Sequence, residues 1–310
     1  MHSAGVATHP VVDALRSPPP GARLALVVEG GGMRGAVSGG MVLALHELGL
    51  HGAFHAAYGS SAGSLNSMWL VSGRVPDGIA TWVDPGLVHE LIQPRRALRG
   101  GPVVDVETLV EKRYEELSPG LFAAVLASGT ELHPIATDTA TGHAVDLHGS
   151  IGDERSLRLA LRASAALPVL AGGTVKIGGR RLLDAGLAAA IPFRAALDDG
   201  ATHVLVLRSR RLGERAEAPG RLSGSLTAAL LRRYGGAVAR AFATRAEREG
   251  RDEDFLAERD GDPDALPHVL SIRPAAGSAA PSRLERDVGI ARSGLEAGRV
   301  AALRALDPSG

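Results

Sequence analysis

The feature that most constrains the fold is an apolar run of strand length that ends in a glycine loop. Residues 23–29 begin with an arginine and end with a glutamate, and all five residues between them are apolar. Such a continuous apolar run is typical of a strand buried on both faces of a parallel sheet. Residues 36–48 then carry apolar side chains at helical spacing, and a second strand at 54–58 leads into a helix from Ser64. This order predicts an α/β fold, with three layers (α/β/α) around a mainly parallel central sheet.

Later segments continue the pattern. Another helix is predicted at 155–166, and further strands are predicted at 131–137, 203–207 and 268–272. The segments 175–177 and 181–183 flank Gly178-Gly179, a two-residue hairpin signal, and the second segment delivers Asp184 at a strand end.

No internal repeat or long linker divides these elements, so we expect one catalytic domain over 23–310. Its motifs lie within about 23–200, and the C-terminal part completes the sheet and the helices. The first 22 residues contain three consecutive prolines and lack the basic start and apolar stretch of a signal peptide, so they predict a flexible leader over 1–22. No window approaches the roughly 18 apolar residues of a membrane span. The expected location is the cytoplasm.

Charge and cysteine content exclude several classes of protein. Lysine plus arginine and aspartate plus glutamate number 34 each, so no net field favours nucleic acid as a partner. Cysteine is absent, which removes disulfides, thiolate metal sites and cysteine nucleophiles. No Glu/His pair has the spacing of a zinc site. We therefore predict neither a metal ion nor an organic cofactor.

Residues 59–63 form the only Gly-x-Ser-x-Gly pentapeptide in the chain, with Ser61 at its centre. A nucleophile on a sharp strand-to-helix turn needs small neighbours such as Gly59 and Gly63, because its backbone is crowded. The alternative is a tight turn with incidental serines. The predicted strand before the pentapeptide and the helix after it favour Ser61 as a nucleophile at a helix N-terminus, where N–H groups stabilise an oxyanion.

The glycine loop after the first strand fits two functions. It reads Gly30, Gly31, Gly32, Met33, Arg34, Gly35. A dinucleotide site would also need an acidic residue about 20 positions on, at the end of the second strand. That strand ends instead in the serine pentapeptide. The loop therefore suits an oxyanion hole better, with donors from Gly31, Gly32, Met33 and Arg34, the last by its N–H or its guanidinium. The alternative is that the glycines only permit close packing of the helix on the strand.

These blocks resemble the patatin-like phospholipases, a family of serine acyl-hydrolases that use a serine–aspartate dyad. Asp184-Ala185-Gly186 stands where the family has an aspartate followed by two small residues, and 163–168 is also similar. The resemblance covers about 23–200. It implies a patatin-like fold and a lipid or other acyl-ester substrate, with Asp184 accepting the proton of Ser61 before an acyl-enzyme forms. The family usually has glycine directly after the aspartate, where this chain has Ala185.

Three other functions stay open at this point. A conventional serine esterase would use a histidine, and His203 and His268 are the candidates by chain order, although each opens a predicted strand. A dinucleotide-dependent oxidoreductase is the second, and a catalytically silent lipid-binding or regulatory domain is the third. Within the arginine-rich segment 208–251, the stripe at 222–242 predicts an amphipathic helix. It either packs its apolar face on the domain or makes peripheral contact with anionic lipid.

Overall fold

An eight-stranded sheet runs through the protein, for which a computed structural model describes residues 9–216 and 220–307. The strands are β1 Leu24–Val28, β2 Ala56–Ser60, β3 Glu131–Asp138, β4 Ala144–Asp146, β5 Val175–Ile177, β6 Arg180–Asp184, β7 His203–Leu207 and β8 His268–Ile272. Each strand is hydrogen-bonded to the next in the series β5-β6-β3-β2-β1-β7-β8, and β4 also pairs with β3. The pairs from β3 through β2, β1 and β7 to β8 are parallel, whereas β4, β5 and β6 pair antiparallel. The predicted mainly parallel sheet is confirmed.

Helices cover both faces of this sheet. They are α1 Pro10–Arg16, α2 Gly35–Glu47, α3 Ala62–Val71, α4 Val75–Ala80, α5 Pro85–Leu91, α6 Val106–Thr108, α7 Tyr114–Leu117, α8 Leu121–Leu126, α9 Glu154–Ser164, α10 Phe193–Asp198, α11 Arg221–Leu231, α12 Gly236–Ala243, α13 Arg245–Gly261 and α14 Val288–Leu306. A π-helical turn at Leu109–Arg113 joins α6 to α7.

The side chains of β1 divide the core into two layers. Leu24, Leu26 and Val28 pack into one apolar cluster with α2, α3 and α14. Ala25 and Val27 point to the other face, where they cluster with residues of α10 and α13. Because successive side chains of a strand point to opposite faces, a fully apolar β1 requires helices on both sides. The three-layer α/β/α arrangement follows.

The prediction of a flexible leader over 1–22 is wrong for the described part of that segment. α1 begins with Pro10 in its first turn and is capped by His9, whose side chain accepts the N–H of Val11 at 3.2 Å. Val11 and Leu15 are buried in the main core. A helix this short is stabilised by packing, which local sequence does not reveal. Residues 1–8 lie outside the described residues.

Candidate active site

Ser61 makes the turn between β2 and α3. Its backbone has φ 54° and ψ −122°, a conformation that is strained for any residue except glycine and is typical of nucleophile elbows. The elbow also passes very close to β1, since a Cβ at Gly63 would lie 2.2 Å from the carbonyl oxygen of Val28. Glycine is therefore required at that position. The strained turn places Ser61 at the N-terminus of α3, directly beyond the end of β2.

Asp184 reaches Ser61 because β2 and β6 meet on the same side of β3. Ile135 of β3 pairs with Ser60, and the next residue, Ala136, pairs with Asp184. β4 pairs with the same two residues of β3, so it occupies the opposite side. β2 and the antiparallel β6 therefore run toward each other along one side of β3 and end together. Their ends carry Ser61 and Asp184.

The side chains of Ser61 and Asp184 are close without forming a hydrogen bond of normal geometry. Asp184 Oδ1 accepts the N–H of Gly186 at 2.8 Å, whereas Oδ2 is buried and has no hydrogen-bond partner among the described residues. Burial raises the pKa of Asp184. The Ser61 hydroxyl, the Gly186 N–H and the charges of Arg245 and Arg283 only partly offset that rise. The Ser61 hydroxyl thus lies close enough to lower the pKa of Asp184, although no hydrogen bond joins the two side chains.

Ala185, the departure from the family pattern, introduces no backbone strain. It begins a 3₁₀ turn at Ala185–Leu187 that Asp184 caps, and it is not among the described non-glycine residues with positive φ. Only a left-handed backbone would require glycine here. The alanine therefore leaves the placement of Asp184 unaffected.

Ser164, which sequence reasoning did not single out, holds the backbone of the elbow. It lies at the end of α9 and accepts the N–H of Ser61 at 3.0 Å. Its hydroxyl also lies 2.6 Å from that of Ser64, which in turn donates to the carbonyl oxygen of Gly59 at 2.7 Å. Since the Ser64 proton is used in that bond, Ser164 is the donor between the two hydroxyls. The only signal in the sequence was the similarity of the block at 163–168 to the family.

The glycine loop offers two unengaged backbone donors. The N–H groups of Gly31 and Gly32 have no acceptor among the described residues. The N–H of Met33 donates to the carbonyl oxygen of Arg283 at 3.0 Å, and that of Arg34 to Gly31 at 3.3 Å. Gly32 has φ 59°, and a Cβ there would lie 2.4 Å from the Arg283 carbonyl oxygen. The backbone N–H groups of Met33 and Arg34 hold the loop in place, whereas those of Gly31 and Gly32 are unengaged; the oxyanion hole itself stays a prediction.

Ser61 borders two cavities. One has a volume of about 80 Å³ and is lined mainly by apolar side chains, among them Leu65, Leu109 and Tyr114. The other, of about 210 Å³, is a cleft whose lining is largely apolar but also contains Asp184, the glycine loop and several arginines. A reacting group at Ser61 would therefore have an apolar space on one side and a cleft with arginines in its wall on the other.

Comparison with known proteins identifies the family. The family model for the patatin-like phospholipases matches residues 26–197, more than half of the chain. The chain belongs to the patatin-like phospholipase family. The glycine loop, the elbow and Asp184 all fall within the matched residues, as does the supporting Ser164.

Similar proteins include the uncharacterized protein YjjU of Escherichia coli (strain K12). It is 29% identical over 201 residues, which cover 63% of this chain and 54% of YjjU. The chain thus spans about half the length of that curated relative. Among solved structures, VipD from Legionella pneumophila has a TM-score of 0.41 at 13% identity, covering 93% of this chain and 67% of VipD. ExoU of Pseudomonas aeruginosa, in complex with SpcU, has a TM-score of 0.24 at 17% identity, covering 74% of this chain and 53% of the other.

The two candidate histidines of a conventional triad lie away from the elbow of this patatin-like protein. His203 and His268 are opposite each other at the starts of β7 and β8, with ring centroids 4.9 Å apart. Ser61 follows the end of β2, which runs parallel to those strands across the sheet. Neither cavity that borders Ser61 has a histidine among its described lining residues. The geometry therefore brings Asp184, and not His203 or His268, to the elbow.

A histidine cluster near the start of β3 has some features of a metal site. Nδ1 of His133 lies 2.6 Å from a carboxylate oxygen of Asp146, and Glu131 and His148 lie beside its Nε2. The rings of His133 and His148, however, are stacked 4.3 Å apart at 16°, so their nitrogen lone pairs lie in nearly parallel planes. A single ion could not lie in both planes. The absence of a metal site stays a prediction.

The stripe at 222–242 is two helices and not the single helix that its pattern predicts. α11 ends at Leu231, and Gly235, with φ 131°, separates its 3₁₀ extension from α12. Leu231 is buried against residues of β6 and α12, but Leu226 and Leu230 are 73% and 42% exposed. The expected packing of the apolar face is therefore only partial. Among the described residues, no helix combines the length and apolar character needed to cross a membrane.

Proposed function

We propose that the protein hydrolyses lipid acyl esters through a Ser61–Asp184 dyad. The observation that carries the proposal is the meeting of β2 and β6, which brings a strained serine and a buried carboxylate together beside an apolar cavity. An ordinary carboxylate is a poor base for a serine hydroxyl. The raised pKa of Asp184 favours proton acceptance and so supports this role.

In the proposed reaction, the Ser61 hydroxyl proton passes to Asp184 as the Ser61 oxygen bonds to the ester carbonyl carbon. The carbonyl oxygen becomes an oxyanion held by the N–H groups of Gly31 and Gly32. Collapse of this intermediate expels the alcohol, which takes the proton from Asp184, and leaves an acyl-serine. Water then attacks the acyl group, with Asp184 accepting its proton and returning it to Ser61.

The apolar cavity is the proposed site for the acyl chain. It opens at Ser61 and is lined by apolar residues such as Leu65, Val88 and Leu109. Burial of each methylene contributes about 0.8 kcal/mol, so a closely fitting cavity would bind an alkyl chain better than a polar acyl group.

We also propose peripheral contact with lipid surfaces through α11. Leu226 and Leu230 are exposed there, and the exposed Arg232 and Arg233 follow directly. The same helix borders the cleft beside Ser61 through Leu231. Replacing both exposed leucines with serine is expected to reduce co-sedimentation with anionic vesicles, whereas unchanged sedimentation would contradict the contact.

Labelling by a fluorophosphonate, together with hydrolysis of a chromogenic acyl ester, tests the dyad. We expect Ser61→Ala to abolish both readouts. Asp184→Asn should lower the turnover by a factor of about 100 or more, the range of a lost general base. A catalytically silent lipid-binding domain would not be labelled in the first place.

The control for a histidine base is the double variant His203→Gln/His268→Gln. We expect it to retain turnover, because both side chains lie at the other end of their strands. Loss of turnover in that variant, with retention in Asp184→Asn, would overturn the dyad in favour of a conventional esterase.

A further inference from the structure

Four arginines from distant parts of the chain converge on the cleft beside Ser61. Arg34 belongs to the glycine loop, Arg210 follows β7, Arg245 begins α13, and Arg283 precedes α14. All four also line an adjoining cavity. Three of them lie beyond residue 197, where the match to the family ends. The cluster is therefore built largely by the C-terminal part of this chain.

Two of these arginines are paired with carboxylates. Arg210 contacts Glu29 at 3.2 Å and Glu249 at 3.0 Å, and it is buried. Arg245 contacts the same Glu249 at 2.5 Å. Glu29 also pairs with Arg208, which shares Glu253 with Arg273, so three carboxylates serve four arginines and this paired network keeps one excess positive charge.

The other two have no carboxylate partner. Arg34 and Arg283 form no ion pair and no side-chain hydrogen bond with any described residue, and Nε of Arg34 is buried. Besides Glu249, the adjoining cavity contains one more acidic residue, Glu214, which pairs with Arg211 at 3.2 Å. The side chains of Arg34 and Arg283 thus present free hydrogen-bond donors to the cleft.

The cations also act on one another. Desolvation in the cleft, together with the charges of Arg245, Arg34 and Arg210, lowers the pKa of Arg283 to about 10. The residue as a whole is exposed, so it remains open to a ligand from solvent. An anion bound between these groups would relieve their repulsion and satisfy the unused donors.

We infer that Arg34, Arg245 and Arg283 form a subsite for a phosphate group, so that acyl esters with a net anionic headgroup are the preferred substrates. The inference rests on the proposed function, because Ser61 must act on the ester that this subsite positions. Ser61 borders both cavities, so a phosphate held by the arginines of the cleft and an acyl chain in the apolar cavity would flank the reacting carbonyl. Guanidinium groups suit phosphate because their planar donors bind two of its oxygens at once.

The test compares three substrates with the same acyl chain at monomeric concentrations and fixed ionic strength: lysophosphatidic acid, lysophosphatidylcholine and monoacylglycerol. We expect the highest kcat/KM for the anionic ester. Arg283→Gln should lower the ratio of anionic to neutral kcat/KM by about 10- to 100-fold, the range of a lost charged hydrogen bond. Arg286→Gln, an exposed arginine of the same loop that does not line the cleft, is the matched control and should leave the ratio unchanged.

Inhibition by inorganic phosphate tests whether the subsite binds free phosphate or only a phosphate group attached to the ester. Competitive inhibition of monoacylglycerol hydrolysis that Arg283→Gln weakens would show that phosphate itself is recognised. Anionic preference without such inhibition would show that the subsite needs the headgroup attached to the ester. A melting temperature of Arg283→Gln equal to that of the wild type verifies that the variant is folded.

The two possible failures are distinguishable. Equal kcat/KM on all three substrates, or a ratio that Arg283→Gln leaves unchanged, would overturn the phosphate subsite while the hydrolase remains. Absence of hydrolysis and of Ser61 labelling in the wild-type protein would overturn the proposed function, and with it the subsite.

Discussion

Replacing the buried Glu29 with glutamine should destabilise the protein by about 3 kcal/mol. The carboxylate is fully buried and accepts hydrogen bonds from Arg208 at 3.1 Å, the Ser209 N–H at 2.7 Å and Arg210 at 3.2 Å. Burial alone would raise its pKa, but the charges of Arg208, Arg210 and Arg34 and the Ser209 N–H lower it from 4.5 to about 2. Because one pKa unit corresponds to about 1.4 kcal/mol, this difference amounts to about 3 kcal/mol at neutral pH.

The pH dependence has a defined sign. A lowered carboxyl pKa in the folded state means that the stabilisation is fully present above the unfolded value of about 4.5 and is lost as the pH falls through about 2. The free energies of unfolding of the wild type and Glu29→Gln should therefore differ by a constant amount above pH 5 and converge below it. Removing one partner from a buried pair typically costs about 3–5 kcal/mol, which agrees with this magnitude.

Urea unfolding measured between pH 3 and pH 7 is the assay. Glu47→Gln is the matched control, because Glu47 pairs with Arg299 at 2.9 Å on the surface and should contribute less than about 1 kcal/mol. A loss of less than about 1 kcal/mol in Glu29→Gln, or one that stays constant down to pH 3, would refute the reasoning.

Three further changes have defined outcomes. Asp184→Asn should raise the melting temperature at pH 7, because a raised folded pKa costs stability as the pH climbs above about 4; thermal unfolding at pH 7 and pH 3 should show the gain only at pH 7. Ala185→Gly should lower the free energy of unfolding by about 1 kcal/mol without faster ester turnover, since φ at Ala185 already suits alanine. Ala165→Phe should fill the apolar cavity, so kcat/KM for long-chain esters should fall at least about tenfold more than for acetate esters; an equal loss for both would contradict acyl binding there.

Local patterns were sufficient for every strand except β4, which was not predicted. The predicted strands 203–207 and 268–272 match β7 and β8 from end to end, because short apolar stretches that follow an opening histidine fit strands of a parallel sheet. The predicted elbow has a strand directly before Ser61 and a helix directly after it. The strands and the elbow depend on residues that are close together in the sequence, so the sequence alone is enough to predict them.

Features that depend on tertiary contacts were not predictable in this way. α1 is stabilised by the packing of Val11 and Leu15, not by its own seven residues. The approach of Asp184 to Ser61 was implied only by the family resemblance, and its physical cause is the shared register on β3. The arginine cluster combines positions as far apart as Arg34 and Arg283, and no local pattern marks such residues as neighbours.

The position of β1 sets a limit on how this protein can be divided. β1 pairs residue by residue with β7 on one side, and β7 begins at His203, beyond the last residue of the family match. A fragment that ended at residue 197 would keep the glycine loop, the elbow and Asp184, yet β1 would become an open apolar edge. Such edges recruit strands from other molecules and cause aggregation. The proposed catalytic residues therefore depend on β7, which covers the edge of β1. A fragment that contains only the motifs is expected to self-associate instead of folding as a monomer.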